Sequence, residues 1–136
     1  MKKFIALVCV VFISATVFAG NEKLIGTWKS NKDATVAYLK THTKLTSQQL
    51  DKLATVFGKM TITFDAKNVT FKSGDWKFTS AYKVISETKD SITIESEDPG
   101  TKKPSQGKLE FDGNGFWCPD DKIPGFKEKF DKVIQK

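Results

Sequence analysis

The side chains that most often perform chemistry are few in this chain, and the sequence does not group them. The single histidine, His42, stands between two threonines in a polar stretch, where we expect it to be exposed to solvent. A lone exposed histidine cannot form a zinc site, which needs three or four ligands. The sequence contains no nucleophile elbow and no glycine-rich phosphate loop. We therefore predict a protein that is not an enzyme, with no catalytic residue, no metal and no cofactor.

Two groups of carboxylates are candidates for binding a cation or for acid–base chemistry. Glu95, Glu97 and Asp98 follow the alternation of a predicted strand, which places this group on the wet face. Asp120 and Asp121 lie in a loop bounded by prolines and could bind a cation. Their spacing does not match a calcium-binding loop, so neither group predicts a metal site.

The N-terminal residues predict export. Lys2 and Lys3 form a positive segment, and residues 4–13 form an apolar segment that is too short to span a bilayer. A cleavage site ending at Ala19 follows. We predict a signal peptide over residues 1–19 and a single domain over residues 20–136 in the periplasm or outside the cell. No other segment is long and apolar enough to span a membrane.

Cysteine usage and charge limit the partners of the exported chain. Cys118 is the only cysteine left after cleavage, so a disulfide within one chain is excluded. Such a thiol is usually buried and inert, although an intermolecular disulfide or a reactive thiol is an alternative.

All 22 basic residues are lysines, against 16 acidic residues. Nucleic-acid recognition relies on arginine forks and clustered basic stripes, so we predict no nucleic-acid partner. Dispersed lysines could still favour an acidic partner.

Helices are predicted between the first strand, residues 24–29, and the second. A short helix around Val36 and Leu39 is followed by a stronger signal, in which Thr46 and Gln49 have the spacing of a capping box. Gly58 marks the end of this second helix. The helix either packs on the core or forms a lid over a barrel mouth. Its apolar stripe comprises Leu50, Leu53, Ala54 and Phe57.

From Met60 to Trp117 the apolar residues alternate, which predicts a series of hairpins with one wet face. Together with the first strand, this makes about seven strands. Closure into an antiparallel up-and-down barrel of seven to eight strands would bury their apolar face. Phe126, Phe130 and Val133–Ile134 recur at helical spacing after Pro124, and they predict a C-terminal helix. The expected fold is therefore mainly β, with a helical insertion after strand one and a C-terminal helix.

The opening Gly26-Thr27-Trp28 on strand one, the meander and the helix predicted after it resemble the lipocalin-like (calycin) proteins, more narrowly the small secreted bacterial ones. The resemblance implies a small apolar ligand inside the barrel. It also implies that Trp28 closes one barrel end, where the family usually places an arginine over the ring. This chain has no arginine, so that contact is either absent or made by a lysine.

The inward-facing aromatic residues are either core or the lining of a ligand pocket, because an eight-stranded barrel is just wide enough for side chains or one small ligand. Tyr82 is the most pocket-like, since its buried hydroxyl would need a partner. In an alternative hypothesis the barrel surface binds a protein, as an inhibitor or immunity-type partner, through loops 98–105 and 118–124. The candidate ligand-binding residues are Trp28, Phe64, Phe71, Trp76, Phe78, Tyr82 and Phe111.

Overall fold

The computed structural model describes residues 22–120 and 123–134, so the predicted signal peptide lies outside the described residues. Two helices stand between the first two strands, as the sequence predicted. The helices are α1 Lys32–His42 and α2 Ser47–Ala54. The strands are β1 Gly26–Ser30, β2 Met60–Phe64, β3 Asn68–Ser73, β4 Trp76–Glu87, β5 Ser91–Glu97, β6 Pro104–Asp112, β7 Gly115–Pro119 and β8 Lys127–Lys132.

The eight strands form one closed antiparallel barrel in chain order, with β8 paired to β1. The mainly-β up-and-down barrel predicted from the alternating residues is confirmed. Every strand therefore pairs with a neighbour on both sides, although β6 pairs with β7 only at Glu110, Phe111 and Asp112. The barrel core contains the inward side chains of all eight strands together with Leu24, which precedes β1.

The predicted C-terminal helix is wrong, because these residues form β8. Phe126 and Phe130 have helical spacing but pack in different places, Phe126 beside the helices and Phe130 inside the barrel. β8 pairs with β7 on one side and with β1 on the other. A seven-stranded sheet would leave one edge of β7 and one edge of β1 unpaired. The unpaired backbone groups on these two edges favour a strand over a short terminal helix.

The helical insertion begins as its capping residues predict. The Thr46 hydroxyl accepts a hydrogen bond from the Gln49 backbone N–H at 3.2 Å, and the Gln49 side-chain oxygen accepts one from the Thr46 N–H at 2.9 Å. This reciprocal pair satisfies two backbone donors at the start of α2. Gly58 ends the segment with a φ of 87°, a conformation that favours glycine.

The two helices pack beside the barrel and have their own apolar cluster. Leu39, Leu50 and Phe57 are buried together, with Phe126 against them. The backbone N–H of Lys129 on β8 donates to the hydroxyl of Thr35, which is buried on α1, at 2.9 Å. α1 therefore lies against the outer face of β8, and the buried Thr35 hydroxyl is one of the contacts that join the helix to the barrel.

One end of the barrel is closed by Trp28. Its indole N–H donates to the Leu24 carbonyl at 2.9 Å, and its ring centroid lies 4.7 Å from that of Phe116. The Lys132 ammonium lies 5.5 Å from the Trp28 ring centroid, within the range of a cation–π contact. Gly115 allows β7 and β8 to approach here, because a Cβ at this position would overlap the Phe130 carbonyl oxygen.

Candidate functional site

The opposite end of the barrel differs from the closed end in how its interior is filled. The connections β1–β2, β3–β4, β5–β6 and β7–β8 all lie at this end, which we call the open end. Along β6 and β7 the inward side chains become smaller toward this end, whereas β4 begins there with Trp76 and Phe78. Along β6 the inward series is Phe111, Leu109, Gly107 and Ser105, and along β7 it is Phe116 and Cys118.

Space opens beside Gly107 at the solvent-exposed part of β6. A Cβ built on Gly107 meets no other atom within 4 Å, and the next inward position is the buried Leu109. A cavity of about 210 Å³, partly open to solvent and hereafter called the cavity, lies here. Its wall combines apolar side chains with polar ones nearer the mouth. The lining residues are Ile62, Phe64, Phe71, Ile94, Ser96, Glu97, Asp98, Pro99, Ser105, Gln106, Gly107, Leu109 and Cys118.

A groove of about 360 Å³ lies next to the cavity, where β6 extends beyond its pairing with β7. The cavity and this second space are neighbours, because both are lined by Ser105, Gln106 and Cys118. We call this second space the groove. Its other lining residues are Pro119, Asp120, Phe126 and Glu128.

Glu128 is an acidic side chain on the inner face of β8. It is paired in register with Cys118, and its carboxylate accepts a hydrogen bond from the Ser30 hydroxyl at 2.6 Å. The Ser30 oxygen in turn accepts from the Gly58 N–H at 2.9 Å, which holds the hydroxyl in place. Burial raises the pKa of the Glu128 carboxyl, and the hydrogen bond from Ser30 opposes that shift.

No lysine in the described part of the chain forms an ion pair with Glu128. Its neighbours on β8 face outward, where Lys127 binds Glu110 at 2.6 Å and Lys129 reaches Asp112 at 3.5 Å. The Glu128 charge is therefore not balanced by a cation from residues 22–120 or 123–134, although such groups are usually paired when they leave water.

Cys118 separates the cavity from the groove and carries a free thiol. Burial raises the pKa of this thiol, and the negative charges of Glu128 and Glu110 raise it further. The thiolate is the nucleophilic form of cysteine, so the thiol is unreactive in this environment. The sequence favoured a buried and inert thiol, and the structure places Cys118 partly buried.

Two of the seven predicted ligand-binding residues, Phe64 and Phe71, line the cavity. Tyr82 packs edge-on against Phe64 at 5.2 Å between ring centroids, and its hydroxyl donates to the Asp65 carbonyl at 2.8 Å. That bond provides the partner that its burial requires. Tyr82 lines a different surface groove, between β4 and β5, in which Lys102 also lies.

The other four predicted residues lie away from the cavity. Trp28 and Phe111 pack at the closed end, with 6.3 Å between their ring centroids. Trp76 begins β4 and keeps 45% of its surface exposed. Phe78 is half-buried beneath the Lys102 ammonium, which lies 4.2 Å from its ring centroid. The structure therefore brings together only part of the predicted set.

Several residues at the open end were not predicted as site residues. Leu109, Gly107 and Ser105 share one face of β6, and extending the period-two alternation back from Phe111 would have found them. Glu128 had no such signal, because its segment was predicted to be helical. Its inward position depends on the pairing of β8 with β7 and β1.

The residues considered for catalysis remain scattered. His42 lies exposed at the end of α1, and its ring stacks on that of Tyr38 at a centroid distance of 3.9 Å. Within the described ranges, no three potential metal ligands come together. No helix among these residues is long and apolar enough to cross a membrane. None of residues 31–56 lines the cavity or the groove, so the helical insertion is not a lid over the cavity.

The outer surface has exposed apolar side chains in several different segments. Val56 follows α2, Trp76 begins β4, and Ile85 lies at an irregularity in the pairing of β4 with β5. Ile134 is 79% exposed near the end of the described chain. Exposed apolar residues of this kind are normal when they occur singly. Protein binding through the barrel surface stays a prediction.

The fold and the cavity define the class of protein as a closed eight-stranded antiparallel barrel with a partly open cavity at one end. Comparison with protein-family models, with curated proteins and with solved structures finds no match to this chain.

Proposed function

We propose that the chain is an exported binding protein that holds a small, mainly apolar molecule in the cavity. The observation that carries this proposal is the cavity beside Gly107, whose inner wall is formed by Ile62, Ile94 and Leu109. Ligand sites are typically concave and apolar, with a few polar groups that orient the ligand. The cavity has this composition, with its polar residues at the mouth.

The size of the cavity limits the ligand. An apolar cavity of about 150 Å³ accommodates benzene, so a space of about 210 Å³ suits roughly eight non-hydrogen atoms. A longer molecule would extend into the groove, which shares the Cys118 wall. An unbranched alkyl chain of eight carbons is therefore a suitable first probe.

Export and family membership are part of the same proposal. Residues 1–19 have the order of a signal peptide, which supports a periplasmic or secreted location. The contact of Lys132 with Trp28 supports the lipocalin-like resemblance, because a lysine lies where that resemblance implies an arginine. Binding of an apolar molecule is the function that this resemblance implies.

Binding of 1-octanol, measured by calorimetry and by NMR shifts of the Ile62, Ile94 and Leu109 methyl groups, tests the proposal. At about 0.6 kcal/mol for each non-hydrogen atom, within the usual bounds for small ligands, we expect a dissociation constant of about 0.1 mM. The variant Gly107→Phe should abolish binding, because its side chain enters empty space without a backbone clash.

The matched control is Lys108→Phe, which places the same side chain on the outer face of the same strand. This variant should bind octanol as the wild type does. If the wild type does not bind octanol, or if Gly107→Phe binds it normally, the cavity is not a ligand site.

A further inference from the structure

The charged residues that line the cavity and the groove in the described part of the chain are acidic, although Lys102 and Lys103 lie in the β5–β6 connection at the same end of the barrel. The described residues that line the cavity and the groove include four carboxylates and no lysine. This contrasts with a chain that has 22 basic and 16 acidic residues. The four carboxylates are Glu97 and Asp98 at the cavity mouth, and Asp120 and Glu128 in the groove.

Glu128 has a different environment from the other three carboxylates. It faces inward from β8, beside the Cys118 thiol, which stays uncharged because burial raises its pKa. Only one of its two carboxylate oxygens, Oε2, accepts the hydrogen bond from Ser30. The other oxygen, Oε1, has no hydrogen-bond donor among the residues that the structure describes. An acidic oxygen therefore lies in the groove, next to the apolar cavity.

A carboxylate in a partly desolvated site favours a cation, because the attraction is stronger there than in water. Glu128 is partly buried and lines the groove together with the uncharged Cys118 and the Phe126 ring. No described lysine supplies the cation, so a bound molecule could do so. The apolar cavity and this acidic groove adjoin, and one molecule can occupy both.

We propose that the cavity selects amphiphilic amines, with the alkyl or aryl part between Ile94 and Leu109 and the ammonium group beside Glu128. This inference depends on the proposed function, since it assigns a ligand class to the same cavity. Glu97 at the cavity mouth adds to the negative potential beside the ammonium group. A molecule with an anionic head group is repelled by the same carboxylates.

Three probes with the same eight-carbon chain test this selectivity at neutral pH. Octylammonium should bind at least about tenfold more tightly than 1-octanol, which corresponds to one charge-assisted hydrogen bond. Octanoate should bind more weakly than 1-octanol. In the variant Glu128→Gln, the preference for octylammonium should fall to about threefold or less, while octanol binding is retained.

The charge-matched control is Asp90→Asn in the β4–β5 turn at the closed end, which removes one negative charge far from the groove. It should leave the preference unchanged. Equal affinities for octanol and octylammonium in the wild type, or a full preference retained in Glu128→Gln, would overturn the inference while the apolar site stands. Failure of octanol itself to bind would instead overturn the proposed function.

Discussion

The inward-facing carboxylate of Glu128 affects the stability of the folded barrel as well as its binding. Burial raises the pKa of this acid in the folded state, and the hydrogen bond from Ser30 opposes the shift. In the unfolded chain the acid ionises at its ordinary pKa. At pH values between this pKa and the raised pKa of the folded state, the folded state therefore binds more protons. The free energy of unfolding therefore falls as the pH rises through that interval, and the penalty persists above it.

Glu128→Gln should therefore stabilise the ligand-free protein at pH 7 by about 1 kcal/mol, the scale of a single polar substitution. The glutamine keeps an oxygen that can accept the Ser30 hydrogen bond, but it carries no charge. At about pH 3.5, where a glutamic acid is protonated in both states, the difference should disappear. Thermal unfolding at both pH values measures this, with Asp90→Asn as the control for the loss of one charge. A variant less stable than wild type at pH 7 would contradict it.

At the scale of secondary-structure elements, β8 decides whether the sheet closes. Its segment has apolar residues at helical spacing, and a terminal helix would bury Phe126, Phe130 and Ile134 on one face. In the structure Phe130 lies in β8 and is 2% exposed, whereas Ile134 follows β8 and is 79% exposed. A terminal helix predicts similar losses of unfolding free energy when either residue is replaced by alanine. The strand predicts a large loss at Phe130 and a small one at Ile134.

Phe130→Ala should destabilise the protein by about 3–5 kcal/mol, because it leaves a cavity between Phe116 and Ser30. Ile134→Ala should change the free energy of unfolding by less than about 0.5 kcal/mol. Urea denaturation followed by tryptophan fluorescence measures both values. Equal costs at the two positions would indicate a terminal helix and an open sheet.

At the scale of the whole molecule, the barrel core and the helical cluster are two apolar bodies joined across β8. Thr35 is fully buried between them, where its hydroxyl donates to the Asn31 carbonyl at 2.7 Å and accepts from the Lys129 N–H at 2.9 Å. This hydroxyl is the acceptor for the Lys129 N–H, in place of a carbonyl from a neighbouring strand. One side chain thus satisfies a buried backbone donor and attaches the helices to the barrel.

Thr35→Val should cost about 1–3 kcal/mol, because the nearly isosteric valine leaves the buried Lys129 N–H without an acceptor. Thr35→Ser retains the hydroxyl and should cost less, about 0.8 kcal/mol for the lost methyl group. Urea unfolding monitored by circular dichroism provides the comparison. Serine and valine variants of equal stability would show that the hydroxyl does not join the two clusters.

Much of the architecture could be predicted from local patterns in the sequence. Alternation from Met60 to Trp117 predicts six of the eight strands, because side-chain direction in a strand depends only on its neighbours along the chain. The capping box of Thr46 and Gln49 is likewise local, and it forms as expected. These features also predicted the barrel, since such a sheet must bury its apolar face.

The candidate site was predicted only in part, with Phe64 and Phe71 found and Glu128 missed. Alternation identifies which side chains point inward, but it does not say at which height in the barrel they lie. Height depends on strand register between segments that are distant in sequence, and this separates the packed Trp28 from the cavity beside Gly107. The strand state of residues 127–132 was also decided only in three dimensions, because two unpaired edges outweigh the short helical pattern of Phe126, Phe130 and Ile134.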